Sequence, residues 1–132
     1  MRVMLDTNIL ISIAIFNSEK LKNLLEHICQ NYQLVVSSTI IDEIRDVIER
    51  KFPEKQENME KFLYKLPYEY EYVPDTIIEE QTVEVRDPKD TPILYSAIVT
   101  DVDVFISGDK DFEDIQIEKP EILKPSEFLE NY

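Results

Sequence analysis

Histidine, cysteine and tryptophan are almost missing from this chain of 132 residues, which contains one histidine, one cysteine and no tryptophan. The single cysteine, Cys29, excludes an internal disulfide and a zinc site built on several thiolates. The single histidine, His27, excludes a site with two histidine ligands and leaves one histidine at most for a Ser-His-Asp triad. Both residues fall in a segment of helical pattern that favours packing or surface roles. Other residue types must therefore supply the chemistry of any active site.

Glycine is equally scarce, because Gly108 is the only one in the chain. Loops must then be short or built from Asn, Asp, Ser and Pro. A lone glycine often marks a place where the backbone turns sharply or passes close to another group, and we expect one of these at Gly108. No repeat, low-complexity tract or linker is visible, so residues 1–132 are expected to form a single domain.

Positive charge is the third shortage: 14 Lys and Arg stand against 28 Asp and Glu, a formal net charge of −14. This excess argues against nucleic-acid binding, because proteins that bind a polyanion usually present basic patches. The argument weakens if several carboxylates converge on one pocket, where cations would neutralise protein and phosphate together.

Long apolar runs are missing as well, so no membrane-spanning segment is expected. The sequence opens directly with a strand-like run at residues 2–5 and shows no signal peptide. We therefore expect a cytoplasmic protein without a membrane partner.

Short apolar runs alternate with segments of helical periodicity along the chain. Strands are predicted at residues 2–5, 33–37, 69–73 and 102–107, with a short one within 115–123, and helices at 9–16, 19–30, 38–51, 54–66, 91–100 and 125–130. Residues 75–85 are ambiguous and indicate one or two helical turns. The alternation predicts a three-layer α/β/α sandwich with a mainly parallel sheet of roughly five strands.

Two acidic residues follow predicted strands directly. Asp6 comes after the first strand, and Asp109 follows the strand that ends at Ser107. In open parallel α/β sheets, sites form beyond the carboxyl ends of the strands. We therefore expect Asp6 and Asp109 to meet at this edge of the sheet, called the carboxyl edge below.

Two further acids lie on predicted helices that begin at the carboxyl edge. Asp90 comes just before the helix that leads into the Asp109 strand, so it is either a helix N-cap or a site residue. Glu43 lies between the apolar stripe of its helix and the charged face, so it is either a solvated glutamate or a site residue. The stripe consists of Ile40, Ile41, Ile44, Val47 and Ile48.

Four carboxylates in one pocket would repel one another strongly unless a cation were bound between them. Hard oxygen ligands suit Mg²⁺ or Mn²⁺, and the lack of His and Cys partners argues against zinc. Carboxylates that bridge Mg²⁺ to phosphate oxygens are a natural chemistry for such a cluster. Asn8 and Ser107 add uncharged polar groups beside it, as turn residues or as supports of the site.

Several segments taken together resemble the PIN-domain family. VMLDTNILIS (3–12) resembles the family's opening strand, which ends in Asp-Thr-Asn, and VVSSTIIDEIRDVI (35–48) is similar to its second acidic element. VRDPKDTPILYSAIVTDVDVFISGDKDF (85–112) resembles the third and fourth motifs, and ILKPSEFLE (122–130) the closing strand and helix. The resemblance spans nearly the whole chain in the right order. It is greatest to the prokaryotic toxin-like branch, which includes ribonuclease partners of toxin–antitoxin pairs.

The resemblance implies hydrolysis of RNA phosphodiester bonds with Mg²⁺ or Mn²⁺, leaving 5′-phosphate and 3′-hydroxyl ends. It assigns the acidic site to Asp6, Glu43, Asp90 and Asp109, of which Asp6, Asp90 and Asp109 would bind one or two metal ions. The supporting residues that it implies are Asn8 and Ser107, the latter where Thr is commoner, with Asp111 and Asp87 as extra acids. The implied partners are RNA, a basic antitoxin protein that could insert an arginine into the pocket, and a second copy in a homodimer.

Two other functions stay open on the sequence. A non-catalytic interaction module would keep the fold and the acids, and the charge of −14 favours it. A receiver-like phosphorylation domain also clusters acids at a sheet edge, but it needs an acceptor Asp where the second strand here ends in Ser37 and Ser38. The tyrosine-rich segment at residues 64–72 is either an interface or a core-facing strand edge.

Overall fold

A computed structural model describes residues 1–79 and 91–132 of the chain. For residues 78 and 79 it describes the backbone alone. Its strands form one sheet with the spatial order β3-β2-β1-β4-β5, and every neighbouring pair is parallel. The strands are β1 (Arg2–Leu5), β2 (Gln33–Ser37), β3 (Glu69–Glu71), β4 (Val104–Ile106) and β5 (Glu121–Leu123). Because parallel neighbours need crossover connections, helices cover the sheet. The predicted three-layer α/β/α sandwich with a five-stranded parallel sheet is confirmed.

The helices of the described residues lie where the sequence pattern predicts them, apart from their boundaries. They are α1 (Thr7–Phe16), α2 (Glu19–Asn31), α3 (Ser38–Lys51), α4 (Gln56–Lys65), α5 (Asp75–Glu79), α6 (Thr91–Val99) and α7 (Pro125–Asn131). Short 3-10 turns are found at Pro53–Lys55 and Lys110–Phe112. None of the described helices is long and apolar enough to cross a bilayer.

Side-chain caps fix where α1, α2 and α3 begin. Ser37 caps α3 by accepting a hydrogen bond from the Ile40 amide at 3.2 Å, and Ser18 caps α2 in the same way. Helix α1 begins at Thr7, two residues before the predicted start, because Asp6 is its N-cap and accepts from the Thr7 amide at 2.7 Å. The same carboxylate that was predicted for the site therefore also starts a helix.

Other boundaries differ from the prediction for local reasons. Strand β3 ends at Glu71 because the amide of Val73 is bonded to the hydroxyl of Ser38 (2.8 Å) and not to a strand. Strand β5 begins after Pro120, which has no N–H to donate to a ladder. The helix predicted at 54–66 is divided into a 3-10 turn that opens with Pro53 and helix α4.

The core lies on both faces of the sheet. The central strands β1 and β4 are almost wholly buried, as is expected of parallel strands covered on both sides. In α3 the predicted stripe is buried at Ile40, Ile41, Ile44 and Ile48, while Glu43 lies at its border and is half-buried. The carboxyl edge is therefore built on rigid elements.

The tyrosine-rich segment is mainly exposed. The exposed fractions of Tyr64, Tyr70 and Tyr72 are 91%, 54% and 71%, whereas Tyr68 is partly buried against the core. The core-facing interpretation is thus wrong for three of the tyrosines. Tyr70 is exposed because β3 is a three-residue strand at the edge of the sheet, and Tyr72 follows that strand, whereas Tyr64 lies on the solvent side of α4. The interface remains a prediction.

Candidate active site

Asp6 is the centre of a hydrogen-bonded cluster at the carboxyl edge. Its side chain is 6% exposed, and its Oδ2 accepts a hydrogen bond from the Ser107 hydroxyl at 2.7 Å. The Ser107 hydroxyl in turn accepts from the amide of Asp109 at 3.0 Å. The pairing of β1 with β4, continued by the bond from the Asp6 amide to the Ile106 carbonyl (2.9 Å), places the two strand ends side by side. The structure therefore brings Asp6, Ser107 and Asp109 together.

Asp109 is held from its other side by the turn that follows it. Its Oδ1 accepts a hydrogen bond from the amide of Asp111 at 2.9 Å, which caps the 3-10 turn. Phe112 anchors this turn, because it is buried and packs edge-to-face on Phe105 with ring centroids 5.2 Å apart. Asp111 thus contacts the site through its backbone amide, and it orients Asp109 by that contact.

The electrostatics of the cluster disfavour negative charge. Burial is the main cause that raises the pKa of Asp6; hydrogen bonds from Ser107 and Thr7 lower it, and the charge of Asp109 raises it. The pKa of Glu43 is raised to about 7, first by burial and then by the negative charges of Asp6 and Asp46. Glu43 is therefore within electrostatic range of Asp6. Its helix α3 follows β2, which pairs with β1 on the side opposite to β4, the strand that leads to Asp109.

The ion pairs of the described residues join basic side chains to acids outside this cluster. Within residues 1–79 and 91–132, no Lys or Arg forms an ion pair with Asp6, Glu43 or Asp109. Arg50, on the helix of Glu43, pairs with Asp46 at 3.0 Å instead. In this part of the chain, the three acids therefore have no ion-pair partner, although the charge of Arg50 partly offsets the rise in the pKa of Glu43.

A pocket of about 240 Å³ opens beside Asp6 and Asp109. Asn8, in the first turn of α1, is exposed and lines it, as the sequence predicts for a supporting polar residue. The remaining lining residues are Ile9, Ser12, Leu21 and Gly108. Glu43 does not line this pocket, so it acts on Asp6 from outside its wall.

Two features of hydroxyl side chains at the carboxyl edge are not predicted from the sequence. Ser37 donates to Ser96 at 2.9 Å, and both are fully buried, so this pair fastens α6 to the start of α3. A polar residue inside the apolar helix TPILYSAIV is the signal that could have identified Ser96. The hydroxyl of Thr7 is buried and has no hydrogen-bond partner in the described part of the chain.

The residues present fit a hard cation in their chemistry but do not complete its site. In the described ranges, no three residues of the types His, Cys, Asp and Glu converge closely enough to hold a metal ion. The donors that do meet are oxygens of Asp6, Asp109 and Ser107, and the buried carboxylate lacks a counter-charge there, which suits Mg²⁺ or Mn²⁺. Asp90 and Asp87 lie outside the described residues, so a ligand role for either stays a prediction.

Comparison with known proteins gives the family. Among solved structures, 12 chains match; one belongs to the crystal structure of VapBC2 from Rickettsia felis bound to a DNA fragment from their promoter. That chain is 20% identical, with a TM-score of 0.70, and the match covers 93% of this chain and 97% of that one. The comparison with curated proteins finds no match. A family model described as "PIN domain" matches residues 2–111, which include Asp6, Glu43 and Asp109, and the chain therefore belongs to the PIN-domain family.

Proposed function

We propose that residues 1–132 form one domain that hydrolyses RNA phosphodiester bonds with a divalent metal ion, as the toxin of a toxin–antitoxin pair in the cytoplasm. PIN domains are generally nucleases, so family membership supports the reaction class. The observation that carries the proposal is the buried Asp6 carboxylate, which is bonded to Ser107, lies beside Asp109 and has no basic partner in the described residues.

The metal ligands in this proposal are Asp6, Asp109 and the undescribed Asp90, with Mg²⁺ or Mn²⁺ as the ion. A bound ion of this kind lowers the pKa of its water and neutralises charge on phosphate oxygens. Asp6 accepts one hydrogen bond on each oxygen, and each oxygen keeps a further lone pair for a cation. Positive charge near Asp6 would also stabilise the ionised form of Glu43, whose pKa is otherwise raised.

The protein's own residues keep the site in one geometry. The N-cap bond to Thr7 and the bond from Ser107 fix the rotamer of Asp6, and the Asp111 amide fixes Asp109. A site held in this way loses little entropy when a phosphodiester is bound, which is the contribution of positioning to the rate.

The partners follow from charge. With a net charge of −14, the chain attracts a basic protein more readily than an unassisted polyanion. We propose a basic antitoxin that places an arginine beside Asp6 and Asp109, because a guanidinium can bond a carboxylate in bidentate fashion. The similar fold of the VapBC2 chain supports such a partner. A homodimer remains an expectation from the family resemblance.

Cleavage of labelled single-stranded RNA tests the reaction. We expect cleavage with Mn²⁺, none with EDTA, and a loss of more than about 100-fold in Asp6→Asn and Asp109→Asn. Asp42→Asn is the matched control, because Asp42 is an exposed acid on α3 and undergoes the same charge change. Undiminished cleavage by Asp6→Asn, or none by the wild type with Mn²⁺, would overturn the proposal.

The second candidate is the non-catalytic interaction module, which the charge of −14 favours. It predicts that the protein binds Mn²⁺ or a basic partner and cleaves no RNA. The receiver-like interpretation is wrong, because the chain belongs to the PIN family and the end of β2 is a buried serine that caps α3 and bonds to Ser96.

A further inference from the structure

Gly108 lies on the carboxyl edge between two residues of the candidate site. It connects Ser107 and Asp109, both of which are hydrogen-bonded into the cluster around Asp6. It is exposed, and it lines the 240 Å³ pocket together with Asp6 and Asp109. The chain's single glycine is therefore part of the wall of the candidate active site.

Within the described residues, neither of the expected structural reasons for a glycine is found at this position. Its φ is not in the left-handed region, so the turn does not require glycine. A Cβ built on Gly108 has no atom of the described residues within 4 Å, so close packing among these residues does not require glycine either. Because no described residue comes close to Gly108, the expected close approach to another group stays a prediction. The backbone conformation at Gly108 therefore does not demand glycine, and the described residues leave the adjoining space open.

The backbone amide of Gly108 differs from those of its neighbours. The Ser107 amide donates to the Leu123 carbonyl at 3.0 Å, and the Asp109 amide donates to the Ser107 hydroxyl at 3.0 Å. For the Gly108 amide, no acceptor is found in the described residues. A donor on a wall that is otherwise rich in carboxylates suits an anionic oxygen of a ligand.

We propose that Gly108 is a specificity-determining residue: the missing side chain leaves room for a chain-like phosphodiester, an RNA backbone, to pass against it and reach Asp6 and Asp109. This inference rests on the proposed function. A side chain at Gly108 would occupy the pocket and not the protein core. It would hinder a substrate with nucleotides on both sides of the phosphate more than a compact one.

The series Gly108→Ala, Gly108→Val and Gly108→Leu tests this. We expect Gly108→Ala to raise the Tm by about 2 to 5 °C, because the substitution restricts the unfolded chain and meets no contact in the folded one. The shift of Tm on adding Mn²⁺ should not change. The kcat/KM for single-stranded RNA should fall by about 10-fold for Ala and 100-fold or more for Leu.

A small phosphodiester substrate distinguishes an effect of the Gly108 variants on RNA access from an effect on the hydrolysis step. Hydrolysis of bis(p-nitrophenyl) phosphate with Mn²⁺ should change by less than about threefold for Gly108→Ala, which adds one carbon, and far less than RNA cleavage for Gly108→Leu, which adds four, since this diester has no nucleotide chain to pass the added side chain. Asn58→Leu is the matched control for an added apolar side chain, because Asn58 is exposed on α4. It should leave RNA cleavage unchanged.

The outcomes are distinguishable. Wild-type RNA cleavage together with undiminished cleavage by Gly108→Leu would overturn the inference and leave the nuclease intact. A fall of several degrees in the Tm of Gly108→Ala, or loss of its Mn²⁺ shift, would assign the glycine a structural role and overturn the inference as well. A wild type that cleaves neither substrate defeats the proposed function itself.

Discussion

The two edges of the sheet treat their acidic residues in opposite ways. At the amino edge, where the strands begin, Asp103 accepts a hydrogen bond from the Arg2 amide at 2.7 Å, and Lys119 lies 3.2 Å from Asp101 and 3.4 Å from Asp103. The bond from the Arg2 backbone is the main cause that lowers the pKa of Asp103. At the carboxyl edge, burial raises the pKa of Asp6.

The difference shows what each edge contributes. At the amino edge, charges of both signs are paired within the chain, and the Arg2 guanidinium also reaches Glu69 at 2.6 Å and Glu71 at 3.0 Å. At the carboxyl edge, Lys124 pairs with Glu113 at 3.0 Å, but Asp6, Glu43 and Asp109 form no ion pair within the described residues, so their charge is available to an external cation. Under the proposed function, the amino edge stabilises the fold, and the carboxyl edge holds a ligand site at some cost to stability.

The largest expected difference between the edges is their response to metal. Mn²⁺ at 100 times its Kd should stabilise the wild type by about 2.7 kcal/mol, because a ligand that binds only the native state shifts the folding equilibrium. Asp6→Asn should abolish this gain, whereas Asp103→Asn should retain it. Thermal melts with and without Mn²⁺ measure the effect. If Asp6→Asn kept the stabilisation by Mn²⁺ and Asp103→Asn lost it, the metal would bind at the amino edge and not at the carboxyl edge.

Removal of the Ser107 hydroxyl should have the next largest effect. Ser107→Ala leaves the buried Asp6 with one hydrogen bond fewer and frees the Asp109 amide, which should lower the free energy of unfolding by about 2 kcal/mol. Ser107→Thr keeps the hydroxyl and should lose much less. Urea unfolding at pH 7 is the measurement. Equal losses in the two variants would show that packing, and not the hydroxyl, holds the edge together.

The raised pKa of Glu43 predicts a pH dependence of definite sign. Since the folded-state pKa is about 7 and the ordinary value 4.5, the native state holds the proton more tightly, and the associated stability is lost as the pH rises from 4.5 through 7. Glu43→Gln should therefore be more stable than the wild type at pH 8 by about 1 to 2 kcal/mol, after allowance for solvent screening, and about equal to it at pH 4. Urea unfolding at both pH values tests this; a variant less stable at pH 8 would contradict it.

The smallest effect is expected at the amino edge, with the opposite pH dependence. Asp103 has a lowered pKa, so its contribution is present above its ordinary pKa of 3.8 and is lost as the pH falls through the folded-state value. Because this carboxylate is largely solvated, Asp103→Asn should cost about 0.5 kcal/mol or less at pH 7. Thermal melts at pH 7 and pH 3 in low salt measure it. A stabilised Asp103→Asn variant would show that the amino edge is not better paired than the carboxyl edge.

The layout of the fold could be predicted because it depends on periodicity. Apolar runs alternating with amphipathic helices imply a parallel sheet, and a parallel sheet brings together the residues that follow its strands, as Asp6 and Asp109 do. The border position of Glu43 in α3 followed from the 3.6-residue repeat in the same way. These features need only the order of residues along each element.

The remaining features depend on how the elements pack. The Ser37–Ser96 bond requires the docking of α6 on α3, which no local pattern encodes. Asp6 was assigned to the site, and its second role as the N-cap of α1 was overlooked because the apolar pattern starts two residues later. For Gly108, the sequence shows that a side chain is absent but not whether the adjoining space belongs to the fold or to a ligand.

The uncompensated Asp6 carboxylate has an evolutionary consequence. Asparagine would cap α1 as well as aspartate does, and it would remove the buried negative charge. A single-base change at this codon would thus yield a chain that folds at least as well and lacks the proposed activity. Under selection for stability alone, Asp6 would be replaced by asparagine. Persistence of the acid in a lineage therefore requires selection for what the carboxylate does.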